Sequence, residues 1–386
     1  MRPSLMCRET FLPVRDSVAP SWLLLTLLLV IFPPEVSARH NVFDCPEALS
    51  CRGRSVRTRS GRDRVQLYPV ATAPGSDRVS RVVRFNASRF AGAAFDKELN
   101  DAFDGERAYT HVKRMVEFGP RPAGSEALAK AREYIVNELK SYGLNVPVDE
   151  FRAKTPRGEK RMANVTAELP GASPDSIILA SHYDTKYYKE FRFVGANDGG
   201  SSTGALLELA RVLAKRKSHF SYRFVFFDGE EAFCRDWDQC GKPDAPDNTY
   251  GSRRYVAQLK SRGELKTIRA MILLDMIGYT KLELGRDPVS TNWLVDVIWE
   301  TACELGHAAH FVDREEGVGG DDHESFLRAG IEAVDIIQLN SYPHWHTPED
   351  TLDKISPRSL QVVGDVVMAS LPRIEQRIKD GEKGKG

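Results

Sequence analysis

Short apolar runs alternate with longer helical patterns over most of the chain after about residue 95. Four apolar runs predict strands at residues 176–181, 222–227, 270–274 and 333–337. Apolar positions at helical spacing predict helices at residues 127–142, 202–215, 251–261, 291–305, 322–329 and 357–378. Alternation of this kind is typical of a mostly parallel sheet with helices on both faces. The pattern therefore predicts a three-layer α/β fold.

The first 38 residues have the order of a secretory signal peptide. Arginines precede an apolar run at residues 22–32, and Val36-Ser37-Ala38 supplies small residues at a cleavage site. The run is shorter than the roughly 20 residues that a membrane-spanning helix needs. We therefore expect an exported chain, either secreted or periplasmic, with an uncleaved membrane anchor as the alternative.

The composition is that of a globular protein behind a polar leader. Residues 39–95 are rich in Arg and Ser without a sustained period, so we expect a poorly ordered segment there and one α/β domain at 96–380. Lysine plus arginine total 54, as do aspartate plus glutamate, which argues against nucleic-acid binding through a basic surface. Hydrophobic residues (41%) and charged residues (28%) are in the globular range.

Acidic and histidine side chains follow the predicted strands where each strand ends. Because the carboxyl ends of parallel strands meet at one edge of a sheet, we expect these side chains to lie together. Asp198 occupies a glycine-rich turn just before a predicted helix. The other members of the set are His182, Asp184, Asp228, Glu230, Glu231, Asp275, Asp321, Asp322, His323, His344 and His346.

Imidazole and carboxylate groups of this kind suit Zn²⁺, and an open catalytic site needs three protein ligands. Glu230 is adjacent to a candidate ligand, which is the expected place for a general base beside a metal. A second ion could be held by His182 and Asp275, with Asp198 bridging the two sites. The candidate ligands of the first ion are Asp198, Glu231 and His346.

Each of these residues also has a purely structural interpretation. Asp198 could serve the glycine turn, and Asp322 could N-cap its helix. The pair Glu230 and Glu231 is harder to explain in this way, because adjacent carboxylates after an apolar run repel each other without a cation. The chain has neither a P-loop nor a Gly-x-Ser-x-Gly motif, so nucleotide binding and serine hydrolysis lack support.

Several motifs together resemble peptidase family M28 and its glutaminyl-peptide cyclotransferase branch, over about residues 103–370. The resemblance implies a zinc exopeptidase-like fold, with a mixed central sheet and a metal site at its carboxyl edge. The motifs are Ser-His182-Tyr-Asp-Thr-Lys, Gly-Ala-Asn-Asp198-Gly-Gly, Phe-Phe-Asp-Gly-Glu230-Glu231-Ala-Phe, Leu-Leu-Asp275-Met-Ile-Gly, Asp321-Asp322-His323 and Trp345-His346-Thr-Pro.

Two details favour the cyclotransferase branch of the family, and one favours the peptidases. Asp321 stands where generic aminopeptidases usually have serine, and Trp345 directly precedes His346, as in cyclotransferases. Against this, the motif around Asp198 is intact in its peptidase form. All five ligands of a two-metal site are present, so the resemblance leaves open whether one or two zinc ions bind.

The resemblance implies conversion of N-terminal glutamine in peptides or proteins to pyroglutamate, with release of ammonia. It assigns proton transfer to Glu230 and a shared proton to Asp275 and Asp321. Trp237 and Trp345 would form the walls of the substrate pocket, with core packing as the structural alternative for Trp237. We expect a monomer whose partner is a peptide N-terminus, with no nucleic acid and no membrane contact beyond the N-terminal segment.

Two other functions stay open at this point. A di-zinc aminopeptidase of the same family would hydrolyse the first peptide bond, with Glu230 as base. A non-catalytic binding ectodomain is a remote alternative, which would be expected to lack ligands that this chain keeps. Among the cysteines, Cys234 and Cys240 are candidates for a short disulfide or two reduced thiols, and Cys303 for a buried free thiol.

Overall fold

A computed structural model describes residues 103–242 and 245–383. The predicted signal peptide at 1–38 and the predicted leader at 39–95 lie outside the described residues. Within the described part of the chain, no helix is both long and apolar enough to cross a membrane.

The described chain alternates strands with helices. The eight strands are β1 (Val148–Thr155), β2 (Gly158–Leu169), β3 (Ser176–His182), β4 (Ser221–Phe227), β5 (Ile268–Asp275), β6 (Leu284–Arg286), β7 (Phe311–Glu315) and β8 (Ala333–Ile337). The α-helices are α1 (Gly105–Glu117), α2 (Glu126–Ser141), α3 (Gly200–Leu213), α4 (Trp237–Cys240), α5 (Tyr250–Ser261), α6 (Asn292–Glu304), α7 (Asp322–Arg328) and α8 (Pro357–Lys383).

Six strands form the main sheet in the order β1-β2-β4-β3-β5-β8. Strands β4, β3, β5 and β8 run parallel to one another. Strand β2 is antiparallel to both of its neighbours, β1 and β4. The predicted mostly parallel, mixed sheet is therefore confirmed. A separate pair of short parallel strands, β6 and β7, lies outside this sheet.

Helices cover both faces of the sheet, because the central strands are apolar on both sides. Alternate residues of β3 belong to different clusters: Ile177 and Leu179 pack with one core, and Ile178 and Ala180 with the other. The larger core includes apolar residues of α1, α2, α3, α6 and α8. The smaller core includes Tyr255 and Leu259 of α5 and Phe326 of α7. This arrangement confirms three layers.

Several elements, including the hairpin β1–β2, helix α1 and strands β6 and β7, were not predicted from the sequence. The hairpin β1–β2 has charged residues along much of its length, and most of β1 is exposed or half-buried, so no apolar run marks it. Helix α1 lies just after the predicted leader. Its N-cap is Asp104, whose side chain accepts hydrogen bonds from the backbone N–H groups of Glu106 and Arg107. Strands β6 and β7 are too short to give a periodic signal.

Both cysteine predictions now have an outcome. Cys234 and Cys240 form a disulfide, with their Cα atoms 6.2 Å apart. Cys303 is half-buried and disulfide-bonded, so its interpretation as a buried free thiol is wrong. Sequence spacing alone could not reveal the state of Cys303, because nothing near it in the chain is a cysteine.

Candidate active site

The sheet brings the candidate side chains to one edge, as the strand pattern predicted. His182 is the last residue of β3, and Asp275 is the last residue of β5. Glu230 and Glu231 follow β4 after a turn at Gly229, whose φ of 75° is left-handed. These three strands are neighbours and parallel, so their carboxyl ends converge.

The first cluster joins Asp198, Glu231 and His346, which come from three separate parts of the chain. His346 Nε2 lies 3.4 Å from Asp198 Oδ2 and 3.3 Å from Glu231 Oε2. Asp198 and Glu231 are buried, whereas His346 is half-buried. The three residues predicted to hold the first ion are thus in mutual reach.

The second cluster joins His182 and Asp275 to the same Asp198. His182 Nε2 lies 3.2 Å from Asp275 Oδ1 and 3.3 Å from Asp198 Oδ1. The two oxygens of Asp198 therefore face different clusters, as a bridging carboxylate would. All three residues of this second cluster are buried.

The donor atoms of both clusters fit a divalent cation. Ligand atoms at about 2.1 Å from a tetrahedral ion lie roughly 3.4 Å apart, which matches the observed separations. Asp198 Oδ2 is buried and accepts no hydrogen bond from any described residue. Burial alone would lower the pKa of His346, but Glu231 and Asp198 outweigh it and raise this pKa to about 9, so the cluster attracts positive charge.

Two buried aspartates hold the backbone of Asp198, Glu230 and Glu231 in place. Asp184 accepts hydrogen bonds from the backbone N–H groups of Glu230, at 3.1 Å, and Glu231, at 3.3 Å. Asp350 accepts from the backbone N–H groups of Asn197, at 2.8 Å, and Asp198, at 3.1 Å. The sequence analysis placed Asp184 in the candidate set, two residues after His182, but did not assign it this supporting role.

Glu230 and Asp275 have carboxyl groups whose pKa is raised. Burial, followed by the charge of Asp321, raises the pKa of Glu230 well above its usual range. Burial raises the pKa of Asp275 to about 7, against the opposing effect of His182, and the charge of Asp321 adds to the rise. The environment of both groups thus favours their protonated forms. The proton predicted to be shared by Asp275 and Asp321 stays a prediction.

The acidic pair at the start of α7 differs from one expectation. Asp321, not Asp322, is the N-cap, because the Asp321 side chain accepts the backbone N–H of Asp322 at 2.5 Å. Asp322 is helical and fully buried beneath the site. His344 also stays outside the clusters, since it packs edge-on against Tyr342 with ring centroids 5.5 Å apart.

The backbone is strained where the site residues are attached. Two non-glycine site residues have left-handed φ angles: His346 at 55° and Met276, directly after Asp275, at 48°. A third, Thr249 at 52°, is β-branched, for which this conformation is unfavourable. Strain of this kind is kept where surrounding structure fixes it, and it concentrates at functional sites.

A pocket opens above both clusters. Its lining includes acidic residues, among them Glu230 and Asp321, and the apolar side chains of Val318, Ile337 and Leu339. Trp345 also lines the pocket and stacks on His346, with ring centroids 4.1 Å apart and planes 21° apart.

The other tryptophan of the predicted pocket is only partly accounted for. Trp237 is the first residue of α4, in the loop that follows Glu231. Its side chain lies outside the described residues, so its predicted role stays a prediction.

Two pocket residues that sequence reasoning missed are Lys186, whose backbone N–H donates to Glu231 Oε1 at 3.0 Å, and Asn248.

Comparison with known proteins identifies the family. The model of peptidase family M28 matches residues 164–371, which include all five candidate metal ligands. The chain belongs to peptidase family M28. The resemblance seen in the sequence motifs is thereby confirmed, and the zinc exopeptidase-like fold with it.

Similar curated proteins and solved structures fall mainly in one branch of family M28. Glutaminyl-peptide cyclotransferase of Dictyostelium discoideum is 30% identical over 316 residues, covering 69% of this chain and 84% of that protein. A crystal structure of Acidobacteriales bacterium glutaminyl cyclase is 38% identical, with a TM-score of 0.66, and the match covers 71% of this chain and 96% of that one. A leucine aminopeptidase precursor from Bacteroides thetaiotaomicron is 27% identical, with a TM-score of 0.65, covering 70% and 97%.

Proposed function

We propose that this M28 chain is a glutaminyl-peptide cyclotransferase, which converts an N-terminal glutamine to pyroglutamate and releases ammonia. The observation that carries the proposal is the placement of Asp321. It lies at the pocket edge beside Glu230 and Asp275, and its charge helps to raise the pKa of both carboxyl groups. Cyclisation must move one proton between two nitrogen atoms, and a set of carboxyl groups with raised pKa values serves that step.

Asp198, Glu231 and His346 would hold a zinc ion, and His182 and Asp275 a second ion if two bind. An ion held by these residues would supply a Lewis acid for the carbonyl oxygen of the reacting amide. The residues behind the ligands keep their geometry: Asp350 through the backbone of Asp198, and Asp184 through that of Glu231.

The reaction itself is an intramolecular transfer. The α-amine nitrogen of the substrate forms a bond to the side-chain carbonyl carbon, and the bond from that carbon to the amide nitrogen breaks. Glu230 takes a proton from the α-amine and delivers it to the departing nitrogen, which leaves as ammonia. Asp275 and Asp321 share a proton close to Glu230, which limits the negative charge in the pocket.

Trp345 supports binding of the reacting side chain. Its ring stacks on His346 and lines the pocket. A flat aromatic wall suits the planar five-membered ring that forms during cyclisation. We extend the same role to Trp237 as a proposal, because it lies in the loop after Glu231.

A di-zinc aminopeptidase is the second candidate function. It is favoured by the complete set of five ligands in two clusters that share Asp198. In that reaction water attacks the first peptide carbonyl, and Glu230 takes the proton from the water. The similarity to the leucine aminopeptidase precursor agrees with this alternative.

One experiment separates the two functions. Purified protein supplied with zinc is incubated with Gln-X and Leu-X peptides. We expect the Gln-X peptide to lose one NH₃, with an equal amount of free ammonia, and the Leu-X peptide to stay intact. Release of free leucine or glutamine without ammonia would contradict the cyclotransferase and support the peptidase.

The cellular setting and assembly are proposed on less direct grounds. The sequence of residues 1–38 supports export of the chain, either secreted or periplasmic. A monomer whose partner is the N-terminus of a peptide or protein remains our working proposal. Sequencing the N-terminus of protein exported by its host tests the predicted cleavage after Ala38.

A further inference from the structure

Asn248 is a buried amide in the wall of the pocket that none of the steps above uses. Only 3% of the residue is exposed, yet it lines the pocket together with Glu230 and Asp321. Its Nδ2 donates a hydrogen bond to the carbonyl oxygen of Gly320. This bond fixes the orientation of the amide, because a carbonyl oxygen accepts hydrogen bonds and would repel Oδ1.

The oxygen atom of the same amide lacks a hydrogen-bond partner among the described residues. Asn248 Oδ1 is buried and accepts no hydrogen bond from the described part of the chain. An unpaired buried acceptor destabilises the fold, so such groups call for a specific explanation. A hydrogen-bond donor on a bound substrate supplies one.

The backbone around Asn248 is held in place by two residues, Arg253 and Glu230. Its carbonyl oxygen accepts two hydrogen bonds from Arg253, at 3.2 Å from Nε and 2.8 Å from Nη2. The next residue, Thr249, has the strained φ of 52° and donates its N–H to the carbonyl oxygen of Glu230 at 2.9 Å. A side chain fixed this firmly is preorganised for a contact in the pocket.

The chemistry of the pocket indicates which donor fits. The other acceptors among the described side chains that line it are carboxylates and a histidine, whereas Asn248 offers the oxygen of a neutral amide. An ammonium group would favour the carboxylates, because charge-assisted hydrogen bonds are stronger. A neutral amide N–H of the substrate matches the neutral oxygen of Asn248.

We infer that Asn248 is a substrate-binding residue whose Oδ1 accepts an N–H of the glutamine side-chain amide and so selects glutamine over glutamate. The inference rests on the proposed cyclotransferase function. An ionised N-terminal glutamate places an oxygen without a proton where glutamine has its NH₂ group, and two acceptors repel each other. Buried polar groups reject an analogue that lacks the matching hydrogen atom.

The test compares two variants on two substrates. In N248L the side chain keeps a similar size and loses both polar atoms. In N248D it keeps an acceptor oxygen but loses the donor to Gly320. We measure kcat/KM for Gln-X and Glu-X peptides at one pH, and Ki for Glu-X as a competitor of Gln-X.

We expect N248L to lower kcat/KM for Gln-X by about 10- to 100-fold, the usual cost of one unmade buried hydrogen bond, with little change for Glu-X. Its preference for Gln-X over Glu-X should fall by the same factor. N248D should keep the preference for Gln-X even if both rates fall, since the acceptor remains.

A structural role for Asn248 gives a different result. If it only holds Gly320, both variants should lose activity on Gln-X and Glu-X alike, and that outcome would overturn the inference. R253Q is the matched control, because it removes hydrogen bonds to the backbone of Asn248 and leaves Oδ1 present. Its kcat/KM should fall by the same factor for Gln-X and Glu-X. A wild-type chain that binds zinc but releases no ammonia from Gln-X would instead overturn the proposed function, and this inference with it.

Discussion

The backbone directs the side chains of the two neighbouring glutamates after β4 to different places. Successive side chains of extended backbone point to opposite sides, so Glu230 and Glu231 cannot face one ion in the same way. Glu231 belongs to the cluster with Asp198 and His346, whereas Glu230 lies in the pocket wall beside Asp321. This geometry agrees with the proposed division of roles, in which Glu231 is a metal ligand and Glu230 carries protons.

This separation predicts different outcomes for two conservative substitutions. E230Q keeps the shape of the side chain and removes the base, so it should retain zinc and the fold. Its kcat should fall by about 10²- to 10⁴-fold, the usual contribution of general acid–base catalysis. E231Q should lose zinc and activity together. Metal analysis beside steady-state kinetics checks both, and equal loss of zinc in the two variants would refute the assignment.

Asp350 offers a second prediction at the scale of single residues. Its Oδ2 accepts the N–H of Asp198, and its Oδ1 accepts from Asn197 and from the Tyr342 hydroxyl at 2.6 Å. D350N replaces one acceptor oxygen by an NH₂ group that opposes a backbone N–H. We expect zinc affinity to fall by about 10- to 100-fold, as for other residues that orient a metal ligand.

Competition with a chelator of known affinity measures this change. Y342F is the control, because it removes one hydrogen bond to Asp350 without disturbing the backbone of Asp198. It should bind zinc within a few-fold of the wild type. An equal loss of affinity in Y342F and D350N would mean that the hydrogen bond between Tyr342 and Asp350, rather than the contact of Asp350 with the backbone of Asp198, controls zinc binding.

The sequence predicted the candidate ligands better than the residues that support them. His182, Glu231 and Asp275 could be found because each follows an apolar strand. Asp350 and Asn248 follow no such pattern, since their roles come from hydrogen bonds across the fold to the backbone of Asp198 and to Gly320. Contacts between distant parts of the chain leave no periodic trace in a single sequence.

At the scale of elements, the buried strands were predicted from the sequence more accurately than the exposed ones. The strands β3, β5 and β8 are fully or almost fully buried and apolar, so their positions were predicted to within a few residues. The hairpin β1–β2 was missed, because at the edge of the sheet its outer strand is mostly accessible to solvent and carries charged residues. Its register is fixed by pairing with β4 instead.

The disulfide loop after β4 leads to a prediction about an element. The bond between Cys234 and Cys240 closes a short loop that begins three residues after Glu231. The loop is also tied to Asp247, which accepts the N–H of Cys234 at 2.8 Å. By loop-closure entropy, breaking the bond should cost about 2 kcal/mol.

The double variant C234S/C240S tests the effect. We expect faster proteolysis within residues 233–247 and a raised KM, with zinc content unchanged because no ligand lies in the loop. Limited digestion with mass spectrometry locates the cuts. Proteolysis and KM equal to those of the wild type would show that hydrogen bonds such as that to Asp247 hold the loop alone.

For the whole molecule, the position of the site follows from the order of the strands. The chain passes from β3 to β4 on one side and then crosses to β5 on the other, and ligands bind at such switch points in α/β sheets. The two apolar cores on either side keep this edge rigid. Rigid strand ends explain how side chains from three distant segments can meet within hydrogen-bond distance.

A buried histidine remote from the site should make the stability of the whole molecule depend on pH. His111 of α1 is 6% exposed, and its Nδ1 lies 2.5 Å from the hydroxyl of Tyr134, with the hydroxyl of Tyr142 at 3.4 Å from Nε2. Burial, with smaller effects of Arg107 and Arg211, lowers its pKa from 6.5 to about 4. The folded chain therefore keeps His111 neutral at pH values where the unfolded chain protonates it.

Protons then bind the unfolded state more strongly between pH 6.5 and about 4, so stability should fall as the pH falls through this window. The loss attributable to His111 is at most about 3 kcal/mol once the pH is below 4. H111Q keeps a polar partner for Tyr134 and cannot titrate, so its free energy of unfolding should decline less over the same range. Denaturant unfolding of both proteins at several pH values measures the difference. Parallel curves for the wild type and H111Q would show that other groups, such as the acidic residues of the site, account for the whole acid sensitivity.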